Sequence, residues 1–284
     1  MIPLDNLDRI TAKMKEQNAT DVLNPKEKEQ WEQLSEDEII QALKNIVSNP
    51  IGHNLNHWFI FDWFLRTRWL EALQAVNLAS PASMLELATG SNNTIPQVLA
   101  KYSTHPNTRY TTVNLNKQLT SDFKENTKDL PLKIDIIEDA AQNIEEYFSD
   151  EKVDVAIFEH AFNDIAEDLI AKKRGINTID ISWWDIIPEI IKATNDVYLN
   201  GTYESIIKAD FLQMLRSTLK VLKPGSFIIS HQFHYQFDVA LGIIPEIWTE
   251  LISTIRRWIN EEGIGEEVFF DGFEPKWWLF IKNI

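Results

Sequence analysis

The chain has 284 residues, of which 44% are hydrophobic and 25% charged, with a formal net charge of -16 and no cysteine. This composition is typical of a folded globular chain, and the length suits one large domain or one domain with an appended cap. Without a dense run of lysine or arginine, the charge argues against nucleic acid or an anionic membrane as a partner, and the missing cysteines exclude disulfides, thiolate nucleophiles and cysteine-ligated zinc.

Residues 1–80 are predicted to form an N-terminal helical cap. The start, MIPLDNLDRITAKMKEQ, lacks the basic stretch and apolar core of a signal peptide, so we expect a cytoplasmic protein. In LSEDEIIQALKNIV, Ser35 is a candidate N-cap with acidic residues in the first turn. The next stretch, NPIGHNLNHWFIFDWFLRTRWLEAL, carries aromatic residues at helical spacing, which predicts a helix with one face in a core. No apolar run approaches membrane-spanning length.

Residues 81–284 show the pattern of an α/β domain. Short apolar or β-branched runs alternate with helical stretches, which predicts βαβ units: SMLELA, RYTTVNL, LKIDIIE, VDVAIFEH and SFIISHQF. The last two runs, EEVFFDG and KWWLFIKN, are separated only by FEP, which is too short for a crossover helix, so an antiparallel hairpin is predicted. The predicted fold is a doubly wound, seven-stranded, mainly parallel sheet with a C-terminal antiparallel hairpin.

The segment between the fourth and fifth strands is longer than one crossover needs. Its second part, YESIIKADFLQMLRSTLKVLKPG, has the pattern of an amphipathic helix that ends near Pro224. Its first part, about 162–202, contains GINTIDISWWDIIPEI and is predicted to be an insertion over the carboxyl edge of the sheet.

The turn after the first strand reads ELATGSN and is the candidate ligand site, because α/β sheets bind ligands beyond the carboxyl ends of their strands. Gly90 permits a positive φ or the close approach of a ligand. Thr94 and Gln97 have the spacing of a capping box, which would point free helix N–H groups at the turn. A dinucleotide site would need Gly-x-Gly-x-x-Gly and an acid about 20 residues on, and neither is present.

This turn resembles the first motif of class I S-adenosylmethionine-dependent methyltransferases, in which an acid is followed by three alternating glycines. Glu86 and Gly90 match the acid and the central glycine, whereas Ala88 and Asn92 replace the other two glycines. In the family an acid at the end of the second strand binds the ribose hydroxyls. Asn114 in TTVNLN occupies that position here, and its amide can still pair with hydroxyls.

The resemblance extends over roughly residues 83–284. Asp139 and Ala140 match the acid and small residue that lie near the adenine in the family, and LKPG before the fifth strand is a phrase common there. The terminal hairpin also separates the family from nicotinamide dehydrogenases. The resemblance implies S-adenosylmethionine as the cofactor, bound by Glu86, Ala88, Gly90, Asn92, Asn114, Leu115, Asp139, Ala140 and Glu159.

Two histidines, His160 and His231, are candidate catalytic bases, because histidine titrates near neutral pH and can take the proton of a hydroxyl acceptor. His160 directly follows the fourth strand, where a histidine bonded to the backbone explains it equally well. His231 and His234 follow the fifth strand and would face opposite ways in a continuing strand, so at most one is expected to line a pocket. Solvated loop histidines remain the alternative for both.

The predicted substrate site is aromatic, although the same residues fit a hydrophobic core. Its candidate residues are Trp58, Arg66, Trp183, Trp184 and His234. Arg66 is a candidate for binding a carboxylate, or alternatively for pairing with surface acids. His53 and His57 have a spacing used by metal ligands, but no further ligand is evident, so no metal site is predicted.

From these features we expect a methyltransferase that acts on a small aromatic or amphipathic molecule, with no nucleic-acid or membrane partner and with a homodimer left open. One alternative is a non-catalytic protein of the same fold that binds a ligand or partner. Such a protein would be expected to lose motif residues, as the missing glycines and Asn114 indicate. The other alternative is an enzyme that transfers the aminocarboxypropyl arm of the same cofactor.

Overall fold

The centre of the molecule is a seven-stranded sheet, seen in a computed structural model that describes residues 3–48, 50–51, 57–148 and 152–284. The strands are β1 (Ser83–Leu87), β2 (Arg109–Val113), β3 (Lys133–Ile137), β4 (Val153–Glu159), β5 (Leu222–His231), β6 (Glu266–Glu267) and β7 (Trp278–Lys282). Their order is β3-β2-β1-β4-β5-β7-β6. The first five strands pair in parallel, and β7 runs antiparallel to both β5 and β6. This arrangement confirms the predicted doubly wound, seven-stranded, mainly parallel sheet with antiparallel strands at its C-terminal end.

Helices cover both faces of the sheet, as a doubly wound fold requires. They are α1 (Leu7–Met14), α2 (Pro25–Glu32), α3 (Glu36–Val47), α4 (Trp58–Ala75), α5 (Thr94–Tyr102), α6 (Lys117–Thr127), α7 (Phe162–Arg174), α8 (Trp183–Leu199), α9 (Tyr203–Val221), α10 (Gln236–Ala240), α11 (Pro245–Thr249) and α12 (Leu251–Glu262). Two 3₁₀ helices span Ala19–Val22 and Ala141–Tyr147. Within the described residues, no helix is both long enough and apolar enough to span a membrane.

The N-terminal helices pack directly on one face of the sheet. Trp63 and Trp69 of α4 are fully buried in one hydrophobic cluster with Met84 of β1 and Ile157 of β4. Since large aromatic side chains bury more apolar area than any others, these two hold α4 firmly against the strands. Ser35 caps α3 as predicted, through a capping box with Glu38.

The opposite face carries α7, α9 and α12. Phe162 of α7, Phe211 of α9 and Trp258 of α12 form an aromatic series with centroid distances of 5.0 and 6.2 Å. These rings join the cluster that includes Leu85 and Phe158 from the sheet. The residues predicted as an insertion form α7 and α8, and α8 lies where its first turn borders the carboxyl edge of the sheet.

Two local predictions differ from the structure. The capping box at Thr94 does not form, because Thr94 is already the first helical residue and its N–H donates to the Asn92 side chain at 2.8 Å. The terminal hairpin is present, but β6 has only two residues and the connection to β7 is longer than FEP. Just after β6, one further backbone hydrogen bond reaches β7, from the Val268 N–H to the Phe280 carbonyl at 3.0 Å.

Candidate functional site

The turn after β1 holds two left-handed residues close together. Ala88 has φ +55 and Gly90 has φ +59. Glycine adopts this conformation freely, whereas alanine is strained there by about 1–2 kcal/mol. Ala88 replaces a glycine of the motif that this turn resembles, so an alanine here holds a conformation that glycine would adopt without strain.

Asn114, directly after β2, fixes this turn. Its side-chain oxygen accepts from the Gly90 N–H at 3.0 Å, and its amide nitrogen donates to the Gly90 carbonyl at 2.7 Å. The Asn114 residue is only 3% exposed. Both ends of the amide are therefore engaged by the turn rather than free for ribose hydroxyls.

A first cavity opens beyond the carboxyl ends of β1, β2 and β3, with about 610 Å³ of space including the part open to solvent. The predicted cofactor residues on its wall are Ala88, Gly90, Asn114, Leu115, Asp139 and Ala140. The Asp139 carboxylate is oriented by the Ala140 N–H at 2.7 Å and by the Tyr147 hydroxyl at 2.8 Å. The wall also includes the apolar side chains of Val113 and Ile165.

A second cavity of about 940 Å³, again including open space, adjoins the first and shares part of its wall. The shared residues are Ala88, Gly90, Leu119, Asp164 and Trp183. From the predicted set, the second cavity also contains Asn92, Glu159, His160 and Trp184. Two connected chambers therefore meet at the turn after β1.

Glu159, the last residue of β4, carries a buried carboxyl group on the second cavity. One of its oxygens lies 3.4 Å from the Asn92 amide, and the other makes no hydrogen bond. Burial, with the nearby charge of Asp164, raises the pKa of Glu159 to about 8. Burial and the charge of Asp238 likewise raise the pKa of Asp164 to about 8.

His160 lies on the second cavity but is a weak base. Its ring stacks on Phe233 with centroids 4.1 Å apart, and its Nδ1 makes no hydrogen bond. Burial, with the nearby His234, lowers the pKa of His160 to about 3. The imidazole is therefore neutral at physiological pH, and its basicity is far below that of an ordinary histidine.

His231 and His234 contact neither cavity, so neither belongs to the proposed site. His231 is 1% exposed and stacks on Trp278 at 4.2 Å, on the face of the sheet that carries α4. Burial and the charge of Arg68 lower its pKa well below the usual range. His234 is also buried and absent from both walls.

Three further predicted residues are positioned elsewhere. The Glu86 carboxyl group is buried in the core, where it accepts a hydrogen bond from the Tyr110 hydroxyl, and Glu86 lines neither cavity. Arg66 forms a two-pronged ion pair with Glu27 at 2.6 and 3.1 Å, which occupies its guanidinium inside the cap. Trp58 is 52% exposed, packs on Phe61 and lines neither cavity.

The predicted pair His53 and His57 cannot be assessed together, because His53 lies outside the described residues. His57 directly precedes α4 and lines neither cavity.

Several residues of the second cavity were not predicted. Asn163, Asp164 and Glu167 come from the first turns of α7, and Tyr235 and Asp238 from the segment after β5. The sequence FNDIAED after the fourth strand was the available signal, since polar residues directly after a strand end of a parallel sheet fall at the ligand-binding edge.

A side-chain series leads from β5 to this wall. With its amide oxygen facing the N–H groups of Ala161 and Phe162, Gln232 donates to the Asn163 oxygen at 3.0 Å. Asn163 in turn donates to Asp164 at 2.8 Å. The Asp164 carboxyl is therefore held in place on the side where the two cavities meet.

The residues of the first cavity fit an adenosyl group. Adding a Cβ to Gly90 would bring it no closer than 3.8 Å to any neighbour, so the space in front of the turn is open. The wall is mainly apolar with a few placed polar groups, as nucleoside sites require. The second cavity, with an unpaired buried carboxyl oxygen at Glu159, suits the positively charged part of such a cofactor.

No protein-family model and no curated protein sequence matches the chain. Solved structures similar to it include an S-adenosylmethionine-dependent methyltransferase from Clostridium acetobutylicum ATCC 824, with 15% identity, a TM-score of 0.38 and coverage of 59% of this chain and 49% of that one. Another is an S-adenosylmethionine-dependent methyltransferase from Aquifex aeolicus, with 12% identity, a TM-score of 0.43 and coverage of 75% and 88%.

A third is precorrin-6y C5,15-methyltransferase from Geobacter metallireducens GS-15, with 12% identity, a TM-score of 0.38 and coverage of 72% of both chains. The chain spans about half the length of the Clostridium protein and most of the Aquifex protein. Likenesses this distant say nothing about the substrate, and the fold is defined instead by the strand order given above.

Proposed function

We propose that this chain is an S-adenosylmethionine-dependent methyltransferase that acts on a small molecule. The observation that supports it is the pair of connected cavities at the carboxyl ends of β1 to β5, which meet at the turn containing Ala88 and Gly90. When bound, the cofactor would supply an electrophilic methyl group. The protein then has to hold the donor and the acceptor in line and exclude water.

In this proposal the first cavity holds the adenosyl part. Leu115, Ala140 and Ile165 offer apolar contacts for a purine, and Asp139 offers an oriented carboxylate. The Asn114 amide acts indirectly, since it shapes the turn through Gly90. Glu159 and the wall near it then face the methionine part.

The second cavity holds the acceptor. Its indole and phenyl rings suit a molecule with an apolar part. The strongly negative chain also disfavours polyanions such as RNA, which supports a small molecule over nucleic acid.

Proton removal, where the acceptor needs it, falls to a carboxyl group rather than to a histidine. Asp164 and Glu159 have pKa values of about 8, close to physiological pH, whereas the pKa of His160 is about 3. A base works best when its pKa lies near the operating pH. His160 then serves as a stacked, neutral wall residue.

The test is a calorimetric titration of the full chain with S-adenosylmethionine and with S-adenosylhomocysteine. We expect both to bind, and we expect Ala140→Trp, which fills the first cavity, to weaken binding by at least tenfold. Ala79→Trp, at an exposed alanine outside both cavities, is the matched control. Absence of binding by both compounds would favour a non-catalytic protein of this fold. The mass of any product separates methyl transfer from aminocarboxypropyl transfer.

A further inference from the structure

The second cavity is lined by acidic side chains. Its wall contains the carboxyl groups of Glu159, Asp164, Glu167 and Asp238. Among the described residues that line it, none is a lysine or an arginine. The carboxyl groups therefore face a common space without a cation from the protein itself.

Two of these carboxyl groups, those of Glu159 and Glu167, are deeply buried. Glu159 is 6% exposed, and its Oε1 makes no hydrogen bond. The buried Trp69 indole N–H lies close enough to lower the pKa of Glu159 somewhat, although its geometry does not complete a hydrogen bond. Glu167 is 6% exposed as well, and burial raises its pKa well above the ordinary value. A buried carboxylate without a counter-charge is costly, so these groups have unmet capacity for a cation.

The other two carboxyl groups are oriented by neighbours and remain on the wall. Asp164 accepts from Asn163 at 2.8 Å, and Asp238 accepts from the Tyr235 N–H at 3.2 Å. Burial raises the pKa of Asp164 and Glu167, and neighbouring carboxylates raise it further. The repulsion between these groups would be relieved by a bound positive charge.

A metal ion is the less suitable occupant. No group of three or more acidic or histidine side chains among the described residues comes together as a metal site would require. The carboxyl groups are instead distributed over a chamber of about 940 Å³, open space included, which is far larger than a metal site.

Six aromatic residues also line the chamber. They are Trp183, Trp184, Phe233, Tyr235, Phe237 and Trp248. Aromatic faces attract organic cations, by about 0.5–2 kcal/mol for each well-placed ring. Carboxylates and rings on one wall together select a ligand with a positively charged head and an apolar body.

We infer that the second cavity binds an organic ammonium compound, so that the methyl acceptor is a small amine with an apolar or aromatic part. This inference rests on the proposed function only in naming the ligand as the acceptor. Asp164 lines both chambers, whereas Glu159, Glu167 and Asp238 line only the second. Even with Glu159 facing the methionine part, three carboxyl groups remain for the amine.

The probes are 2-phenylethylamine and tryptamine, each compared with its neutral alcohol, 2-phenylethanol or tryptophol, and with the anion 3-phenylpropionate. We expect calorimetry on the full chain at neutral pH to give each amine an affinity at least tenfold above that of its alcohol. We expect no measurable binding of the anion. Equal affinity for amine and alcohol, or no binding of either amine, would overturn the inference.

Glu167→Gln removes one ionisable carboxyl group from the wall and keeps the side-chain shape. We expect it to weaken amine binding by about tenfold, equivalent to about 1.4 kcal/mol, and to leave alcohol binding unchanged. Glu189→Gln is the same substitution at an exposed residue of α8 that lines neither cavity, and it should leave both affinities unchanged. Equal losses in the two variants would point to the overall charge of the chain and contradict a specific site.

A separate titration with S-adenosylhomocysteine, without amine, distinguishes the two proposals. Binding of that compound without a preference for amines would reject the ammonium site and leave the proposed methyltransferase standing. A preference for amines without cofactor binding would reject the methyltransferase and keep the ammonium site.

Discussion

Asn114 and Gly90 form a reciprocal pair of hydrogen bonds, with the side-chain amide of one accepting from and donating to the backbone of the other at 3.0 and 2.7 Å. An aspartate could accept from the N–H but could not donate to the carbonyl. The amide that replaces the family's acid is therefore what this particular turn requires. The same turn also contains Ala88 at positive φ, so its shape depends on such support.

Asn114→Asp should weaken the protein rather than restore a typical family site. We expect a loss of about 1–2 kcal/mol in the free energy of unfolding, because a carboxylate oxygen would then face the Gly90 carbonyl. Chemical denaturation measures the loss, and calorimetry should show weaker binding of S-adenosylhomocysteine. Asn107→Asp, at an exposed loop residue, adds the same charge as a control. Tighter cofactor binding by Asn114→Asp would show that the acid's role in the family applies here too.

Ala88→Gly should stabilise the protein. Relief of the positive φ at this alanine favours the folded state by about 1 kcal/mol, partly offset by the freer unfolded chain. Ala42→Gly, within α3, should instead destabilise by about 1 kcal/mol, because glycine is a poor helix former. Denaturation curves of both variants test the contrast. Destabilisation of similar size in both would mean that Ala88 is not strained.

Stability should fall as the pH rises towards 9, in part because of Glu159. Burial, reinforced by Asp164, raises the pKa of this carboxyl to about 8 in the folded state, above its value in the unfolded chain. Its stabilising contribution is therefore complete below the unfolded pKa and is lost as the pH rises through about 8, by on the order of 2–4 kcal/mol.

The comparison of Glu159→Gln with the parent chain isolates this contribution. The variant should show a flatter dependence of unfolding free energy on pH between about 5 and 9. Glu29→Gln, at an exposed residue of α2, should follow the parent chain. Parallel curves for the parent and Glu159→Gln would show that this carboxyl is ionised throughout.

His160 should remain neutral over the physiological range. Its burial against Phe233 lowers its pKa to about 3, so its C2-proton resonance should not shift between about pH 5 and 8. Nuclear magnetic resonance of the histidine protons, assigned with His160→Gln, makes the measurement. An inflection near pH 6.5, the ordinary value for histidine, would restore this residue as a candidate general base.

The order of elements and the position of the turn could be predicted from the sequence, because both depend on local patterns. Alternation of apolar residues marks β1 to β5, and the short spacing before the last strand requires an antiparallel neighbour. A single glycine after the first strand located the turn that both cavities share. These signals need only residues that are near each other in the chain.

The tertiary structure decided where each side chain points and which residues it contacts. Glu86 lies next to the end of β1 and His231 ends β5, yet Glu86 contacts Tyr110 and His231 stacks on Trp278 in the core. The acidic chamber combines the end of β4, the start of α7 and the segment after β5. The raised pKa values of its carboxyl groups arise from burial and from mutual repulsion, and such energies exist only once the chain has folded.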